Sequence, residues 1–309
     1  MNPLPSHNTP SQRAWRRFWR NRPAVVGLVW LVGLMLLMAI WPWIAPYSFD
    51  ATSDIQFSPP TATHWFGTDV HGRDLLTRVV FGARVSVMVG LVGACVAVIN
   101  GVLWGASAGY FGGRWDSLAM RIVDILYSLP SIIFVIVLIT TLESSARRFL
   151  QDTLHASPEN VGKARLLFLF VGLGAISWLN MARIIRGQVL SIRSRAFVQA
   201  SIALGAGPWR ILRHHILPNV YGVMIVYATL TVPSIILYES FLSYLGLGIQ
   251  APMASWGSLI ADGASQLNPV RVYWWLIVFP AGILVITLLG MNFVGDGLRD
   301  ALDPKGRDE

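Results

Sequence analysis

Long runs of apolar residues without a single charge recur along this chain, at 25–49, 85–113, 166–182, 216–238 and 272–295, and a sixth at 122–142 is interrupted only by Asp124. Each is near the length needed to cross a bilayer, roughly 17–25 residues. Hydrocarbon offers no partner to a backbone N–H or C=O, so a segment at that depth satisfies its own groups as a helix. Charged residues make up 13% of the chain, too few to coat a soluble globule, where about a quarter is usual. The pattern predicts an all-α membrane protein with six transmembrane helices. Its expected parts are a tail over 1–24, a first helix over 25–44, an outer segment over 45–84, a membrane core over 85–295 and a tail over 296–309. Residues 240–261 are also uncharged, but Gly246, Gly248, Gln250, Pro252, Ser255 and Gly257 suit an outer loop or shallow re-entrant segment better than a lipid-facing helix.

Placing the N-terminus inside puts 16 of the 24 Lys and Arg residues on the inner side and 8 on the outer. This bias follows the positive-inside rule and sets both termini in the cytoplasm. It also accounts for the net charge of +8: the arginines sit at the ends of apolar runs and form no basic face, which argues against nucleic acid as a partner. The first apolar run outlasts a secretory signal core of about 7–15 residues, so an uncleaved first helix is expected. Cys95, the only cysteine, excludes an internal disulfide and a cysteine metal cluster and is expected to be a buried small hydrophobe.

Local signals refine this outline. Trp15 and Trp19 suit an interfacial helix over 14–19, ahead of Pro23, and Trp41-Pro42-Trp43 closes the first helix with a second aromatic belt. Asp69, His71 and Asp74 can be drawn as a metal site, although acids in so turn-rich a segment more simply cap helices and pair with Arg73 or Arg78. Gly93, Ala97, Gly101, Gly105 and Gly109 recur at every fourth position and predict a seam where another helix, of this chain or of a partner, approaches closely. Arg121 and Asp124 are spaced for an i,i+3 pair, Pro130 is expected to kink its helix, and 143–163 is a polar insertion able to form a short outer helix. Glu239 ends an apolar run, so it must face protein, water or the interface, either in a translocation path or as a structural hydrogen-bonding group at the outer boundary.

The most informative segment is the polar stretch 195–219 between two apolar runs. A helix-forming run from Ala196 to Leu204 stops at Gly205-Ala206-Gly207, a second helix restarts at Pro208, and Pro218 ends the segment. Phe197, Ala200, Ser201 and Leu204 share one helical face that a partner groove can bury, and Arg210, Arg213, His214 and His215 make the second helix cationic. A helix resting on lipid headgroups is the plainer alternative.

Four separated motifs, in order, resemble those of binding-protein-dependent ABC-importer permeases of the dipeptide, oligopeptide and nickel group. Gln199-Ala200-Ser201, Gly205 and His215-Ile216-Leu217-Pro218 follow the E-A-A-x-x-x-G and I-x-L-P pattern of their cytoplasmic loop, with Gln199, Ser201 and His215 departing from it. Residues 67–84 resemble the G-T-D-x-x-G-R-D-x-x-S-R-x-x-x-G-x-R signature of the C-type subunit, with Thr77 for Ser. Residues 239–257 resemble E-x-x-L-S-F-L-G-L-G-x-x-P-P-x-x-S-W-G, with Tyr244 for Phe and Ala251 for the first proline, and 292–304 resembles the family's ending. The resemblance implies a type I ABC-importer permease fold in a bacterial inner membrane, with 45–84 periplasmic. It implies as partners a second homologous permease, two ATPase subunits, a periplasmic solute-binding protein and membrane lipids, with peptides as the favoured cargo. Carried over residue by residue, the ATPase-coupling set is Phe197, Gln199, Ala200, Ser201, Leu204, Gly205, Pro208, Arg210, His215 and Pro218.

The chain lacks the machinery for other classes. Its only Gly-Lys pair, Gly162-Lys163, is followed by Ala164, so the phosphate loop G-x-x-x-x-G-K-[ST] is absent and ATP must be hydrolysed by another chain. No catalytic residue, cofactor or metal is expected: H-E-x-x-H and G-x-S-x-G are missing, and adjacent His214 and His215 point about 100° apart on a helix. An ion-coupled secondary transporter or channel is the rival class. It usually needs ionisable residues at mid-membrane, where only Asp124 and Glu239 are candidates and both lie towards boundaries.

Overall fold

The computed structural model describes residues 9–148, 158–249, 253–268 and 270–302, and the described residues form eleven α-helices, with a long non-helical segment over 45–74 between the second and the third. Helix α1 (Pro10–Arg20) starts at Thr9, whose hydroxyl accepts from Gln12 N–H while the Gln12 side chain accepts from Thr9 N–H, a reciprocal box that satisfies two orphan donors. Asn21 then caps α2 (Arg22–Ile44) through Ala24 N–H. The long α3 (Leu75–Phe111) begins ten residues before the apolar run predicted at 85. Asp74 caps it, and Arg78 is buried in its first turns by ion pairing with Asp69.

The run expected over 122–142 is two helices, α4 (Gly113–Ser128) and α5 (Ser131–Arg148), with a bend of 97° between them. Pro130 breaks the helix where a kink was predicted, because its ring excludes the residue before it from helical backbone; Leu129 lies at φ −77°, ψ 140°. Helix α6 (Pro158–Arg193) follows. The insertion at 143–163 therefore prolongs α5 at one end and α6 at the other, and 149–157 lie outside the described residues. Among the described residues four helices, Arg22–Ile44, Leu75–Phe111, Pro208–Tyr244 and Trp275–Leu302, are long and apolar enough to cross a membrane, and a fifth is reached if the bent α4–α5 pair is one broken span.

After α7 (Ala196–Ala203), α8 (Pro208–Ile211) runs through a wide turn into α9 (Leu217–Tyr244), which extends past the predicted end at 238. Of the stretch 240–261 expected in a loop or re-entrant segment, 240–244 end α9 and 256–261 open the short α10 (Trp256–Ser265), with Trp256 fully buried, packed against α9 and α11 (Trp275–Leu302). The predicted C-terminal tail is helical through Leu302, as α11 continues past 296 to pack on α1.

Helices α3 and α6 form the backbone of the fold, and the small residues of α3 make it possible. A Cβ on Gly105 would overlap the Ala182 carbonyl of α6, and one on Gly101 would come within 2.5 Å of Met181 Cβ. Gly93 and Ala97 are buried on the same helix, and Gly109 meets Arg186 and Val189, so the ridge faces a helix of this chain. Ion pairs add to the α4–α6 contact: Asp116 accepts from Arg186, and Asp124 accepts from Arg183 at 2.7 Å. Asp124 thus pairs across helices rather than with Arg121 one turn earlier, and Arg183 also lies over the Tyr127 ring. Cys95 is exposed, contrary to expectation, in an apolar groove of about 320 Å³ with Ala228, Thr229 and Val232. Because α3 is apolar all round, its sequence does not distinguish the protein-facing side from the outward one.

A proline in α2 requires a tertiary remedy. Pro42 has no N–H for the Met38 carbonyl, and the Arg84 guanidinium of α3 donates to that oxygen instead, through Nε at 2.8 Å and through Nη2. At the opposite end of α2, Phe18 and Ala24 pack with Ala301, so the N- and C-terminal helices share one end of the molecule.

Candidate functional site: an exposed helical break and a clamped polar cap

The loop at 195–219 lies at that same end, since Gly222 of α9 faces Leu302 and Val198 packs with Ile192, Ile211 and Tyr110. Helix α7 closes through Gly205, which has φ +81°, a left-handed backbone that disfavours a side chain. Gly205 N–H donates to Ile202 O at 2.9 Å and Ala206 N–H donates to Ser201 O at 3.0 Å, the double closure that satisfies the last carbonyls of a helix. No other atom lies near the Gly205 Cα hydrogens, so the break is open to its surroundings.

Pro218 does not end the segment. It sits in the first turn of α9, and residues 212–216 widen into a π-turn in which Leu217 N–H reaches back to Leu212 O. The wide turn removes the clash that a proline ring makes with the carbonyl four residues back, and Asn219 Nδ2 donates to the His215 carbonyl at 2.7 Å. The second helix predicted over 208–215 is therefore the start of one continuous element reaching Tyr244.

The structure separates the loop residues by what they touch. Val198 is fully buried, and Ser201 is half-buried, donating to Phe197 O and lying 3.5 Å from His215 Nε2. Gln199 is exposed, and its amide donates to Arg193 O at 2.9 Å, which ties α7 to the end of α6. Ala200, Pro208, Arg210 and Pro218 are exposed, and so are the larger apolar side chains Phe197 and Leu204, the latter by 89%. Trp209, 68% exposed, joins this patch without having been singled out from the sequence. A tryptophan in the first turn of a cationic helix, one position after its initiating proline, was the available signal.

The opposite end is built differently. Asp69 Oδ1 accepts from the backbone N–H of His71 at 2.8 Å and of Arg73 at 3.0 Å, while its Oδ2 accepts from Arg73 Nε at 2.8 Å and from buried Arg78. Burial alone would raise the Asp69 carboxyl, but the Arg73 backbone N–H, the Arg78 guanidinium and the His71 backbone N–H together hold it below the usual carboxylate range. Asp74 accepts from Thr77 N–H at 2.9 Å and pairs with His64 at 3.0 Å. The acids of this segment thus serve as caps and ion pairs, and among the described residues no three metal-ligating side chains converge. Trp275 donates to Thr68 O and Phe66 stacks on Phe279, fastening the segment before α3 to α11, and Trp256 of α10 donates to Val79 O at the start of α3.

Beneath this cap lies Glu239, fully buried in α9. Ser243 Oγ donates to its carboxylate at 2.6 Å and Ser86 Oγ lies at 3.4 Å, while Trp256 N–H donates to Ser86 Oγ. The side chain thereby links α3, α9 and the start of α10. Beside it, an open cavity of about 480 Å³ is lined by His71, Arg73, Arg78, Tyr244, Asp262 and Gln266.

Comparison with known proteins gives this arrangement its relatives. Residues 101–308 match the profile of the binding-protein-dependent transport system inner membrane component, and residues 9–60 match that of the N-terminal transmembrane domain of oligopeptide transport permease C. The chain is 44% identical to the oligopeptide transport system permease protein OppC of Haemophilus influenzae, over 96% of this chain and 89% of that protein. It is 46% identical to OppC of Escherichia coli K12, over 96% and 91%, and 44% identical to the dipeptide transport system permease protein DppC of Bacillus subtilis, over 96% and 86%. With a profile spanning most of its length and such relatives covering nearly all of it, the chain belongs to the family of binding-protein-dependent transport system inner membrane components.

Proposed function

We propose that this chain is the C-type permease subunit of an ATP-driven importer of di- or oligopeptides, moved by ATPase subunits that seat on 196–216. The family is one of importer permeases, and the rival reading as an ion-coupled transporter or channel falls with it. Peptide cargo rests on the relatives named above, which are oligopeptide and dipeptide permeases. The rest of the assembly follows from the family reading: a second homologous permease, two ATPases, a periplasmic binding protein, six spans in a bacterial inner membrane, and both termini cytoplasmic. Family membership and the apolar helices support a multi-pass membrane subunit of a transport system.

The observation that carries the seat is the exposed apolar patch of Phe197, Leu204 and Trp209 around an open helical break. Exposed large side chains beside a rigid turn are what a partner groove buries, and few such anchors dominate an interface. The loop shares hydrophobic packing with α3, α6 and α9, so a push on α7 is transmitted to three long helices. Tilting of packed helices between two arrangements then alternates access across the membrane. Glu239 serves as a buried tie between α3, α9 and α10, the plainer of its two roles, supported by its burial and its serine partners.

The test is Gly205→Glu in the assembled transporter. A side chain with φ +81° reshapes the break, so ATP hydrolysis should persist while uptake falls to background. Uptake at the normal rate would remove the seat from this loop.

A further inference from the structure

Helix α1 carries the same kind of three-residue unit twice, Ala14-Trp15-Arg16 and Phe18-Trp19-Arg20, four residues apart. Successive residues of a helix turn by about 100°, and positions four apart fall in one row, so the repeat builds three separate edges. The first edge is docked within the chain. Phe18 is buried, and with Ala14 it packs against Ala24 in the first turn of α2 and Ala301 near the end of α11. The second edge is aromatic and uncovered: Trp15 is 65% and Trp19 48% exposed, and their rings meet edge to face at 5.6 Å. The third is cationic. Arg16 and Arg20 are exposed, and among the described residues neither forms an ion pair. The first acidic residue of the chain is Asp50, so no neighbour in sequence neutralises this edge.

The position of α1 says what covers the two open edges. Helix α2, long and apolar enough to span the membrane, begins at Arg22, two residues after α1 ends, and α1 packs against both α2 and α11. It is therefore held at the level where the first span enters the bilayer. Tryptophan favours the boundary between hydrocarbon and headgroups, and a guanidinium pairs with phosphate oxygens. A helix with aromatic and arginine edges lies in the interface plane, and its cationic residues attract anionic lipid. We propose that α1 is a docking surface for anionic phospholipid, whose headgroups pair with Arg16 and Arg20 on one edge while Trp15 and Trp19 enter the acyl boundary on the next. Because Phe18 fixes α1 to Ala301, bound lipid also braces the end of α11, where Leu302 faces Gly222 of α9. This surface depends only on α2 as a span, not on the cargo or on the ATPase seat, which Gly205→Glu tests separately.

The experiment uses the purified, assembled transporter in nanodiscs of equal phosphatidylglycerol and phosphatidylcholine, with a photo-cross-linking aromatic residue in place of Trp15. Mass spectrometry of the labelled peptide identifies the lipid beside α1. Each arginine near an anionic headgroup contributes about fivefold. The excess of phosphatidylglycerol over phosphatidylcholine adducts should thus fall about fivefold in Arg20→Gln and about 25-fold in Arg16→Gln with Arg20→Gln. Both side chains are exposed and unpaired, so the melting temperature in phosphatidylcholine alone should not move. An unchanged adduct ratio in Arg20→Gln overturns the surface, even if the double variant assembles poorly. Loss of the phosphatidylglycerol excess in millimolar inorganic phosphate overturns it too, since a free anion would then be the ligand. Labelling of another protein subunit in place of lipid would also overturn it.

Discussion

The two ends of this molecule treat polar sequence in opposite ways. At the polar cap over 64–78, Asp69, Asp74, His64 and Arg78 are all more than nine-tenths buried and each is bonded to another side chain of the same chain. At the loop of α7 and α8, by contrast, Phe197, Leu204 and Trp209 are turned outward and the backbone is closed by its own hydrogen bonds. Both regions carry motifs that resemble the permease family, but one motif encodes folding and the other encodes a surface. A short motif reveals its role only when its side chains are followed to their partners.

Changes at the cap should therefore damage the protein itself. Replacing Asp69 with Ala leaves buried Arg78 with only the longer contact to the half-exposed Asp262 carboxylate, at 3.7 Å. Breaking one side of such a pair costs about 3–5 kcal/mol. Little assembled protein should remain in the membrane, as read by size-exclusion of the solubilised complex; normal yield and melting temperature would show that the cap is dispensable.

Changes at the loop should damage only the partnership. Leu204→Ala with Trp209→Ala removes exposed side chains, so the melting temperature of the subunit should shift by no more than about 0.5 kcal/mol equivalent. Binding of the ATPase should weaken by at least about tenfold, the effect of losing interface anchors of more than about 1 kcal/mol. A large loss of stability with unaltered ATPase binding would reverse the contrast drawn between the two ends.

The smallest effect concerns pH. Asp69 is held below its unfolded value, so its contribution is fully present above the ordinary carboxylate range and is lost as pH falls through the lower folded value. The cap should accordingly show no Asp69-dependent melting change between pH 8 and 5, with loosening confined to below about pH 4. A melting shift near neutrality that Asp69→Asn abolishes would contradict the charge state assigned here.

Much of this was readable in advance. The helices α2, α9 and α11 follow from uncharged runs, and the break at Gly205 follows from a glycine pair flanking Ala206 before Pro208. The helix α3 begins ahead of the uncharged run that opens after Arg84, because Asp69 carries Arg78 into the interior and Arg84 turns back onto the Met38 carbonyl. Asp124 was assigned to Arg121 because local spacing is visible in sequence and a partner 59 residues away is not. Pro218 reads as a stop in the sequence because a single widened turn has no pattern of its own. Among the loop residues, the exposed positions of Phe197 and Leu204 followed from helical spacing, while Trp209 became evident only when its surroundings proved empty.

The sequence by itself determined the solvent, the helical class and the location of the flexible punctuation. Those depend on the free energy of single residues in lipid and on backbone limits of Gly and Pro, which act locally. The tertiary structure alone decided that the small-residue ridge of α3 receives α6, that Arg84 supplies the donor Pro42 lacks, and that Cys95 faces outward. Each of these is set by which groups from distant parts of the chain come within reach, and in an all-apolar helix no composition rule selects one face over another.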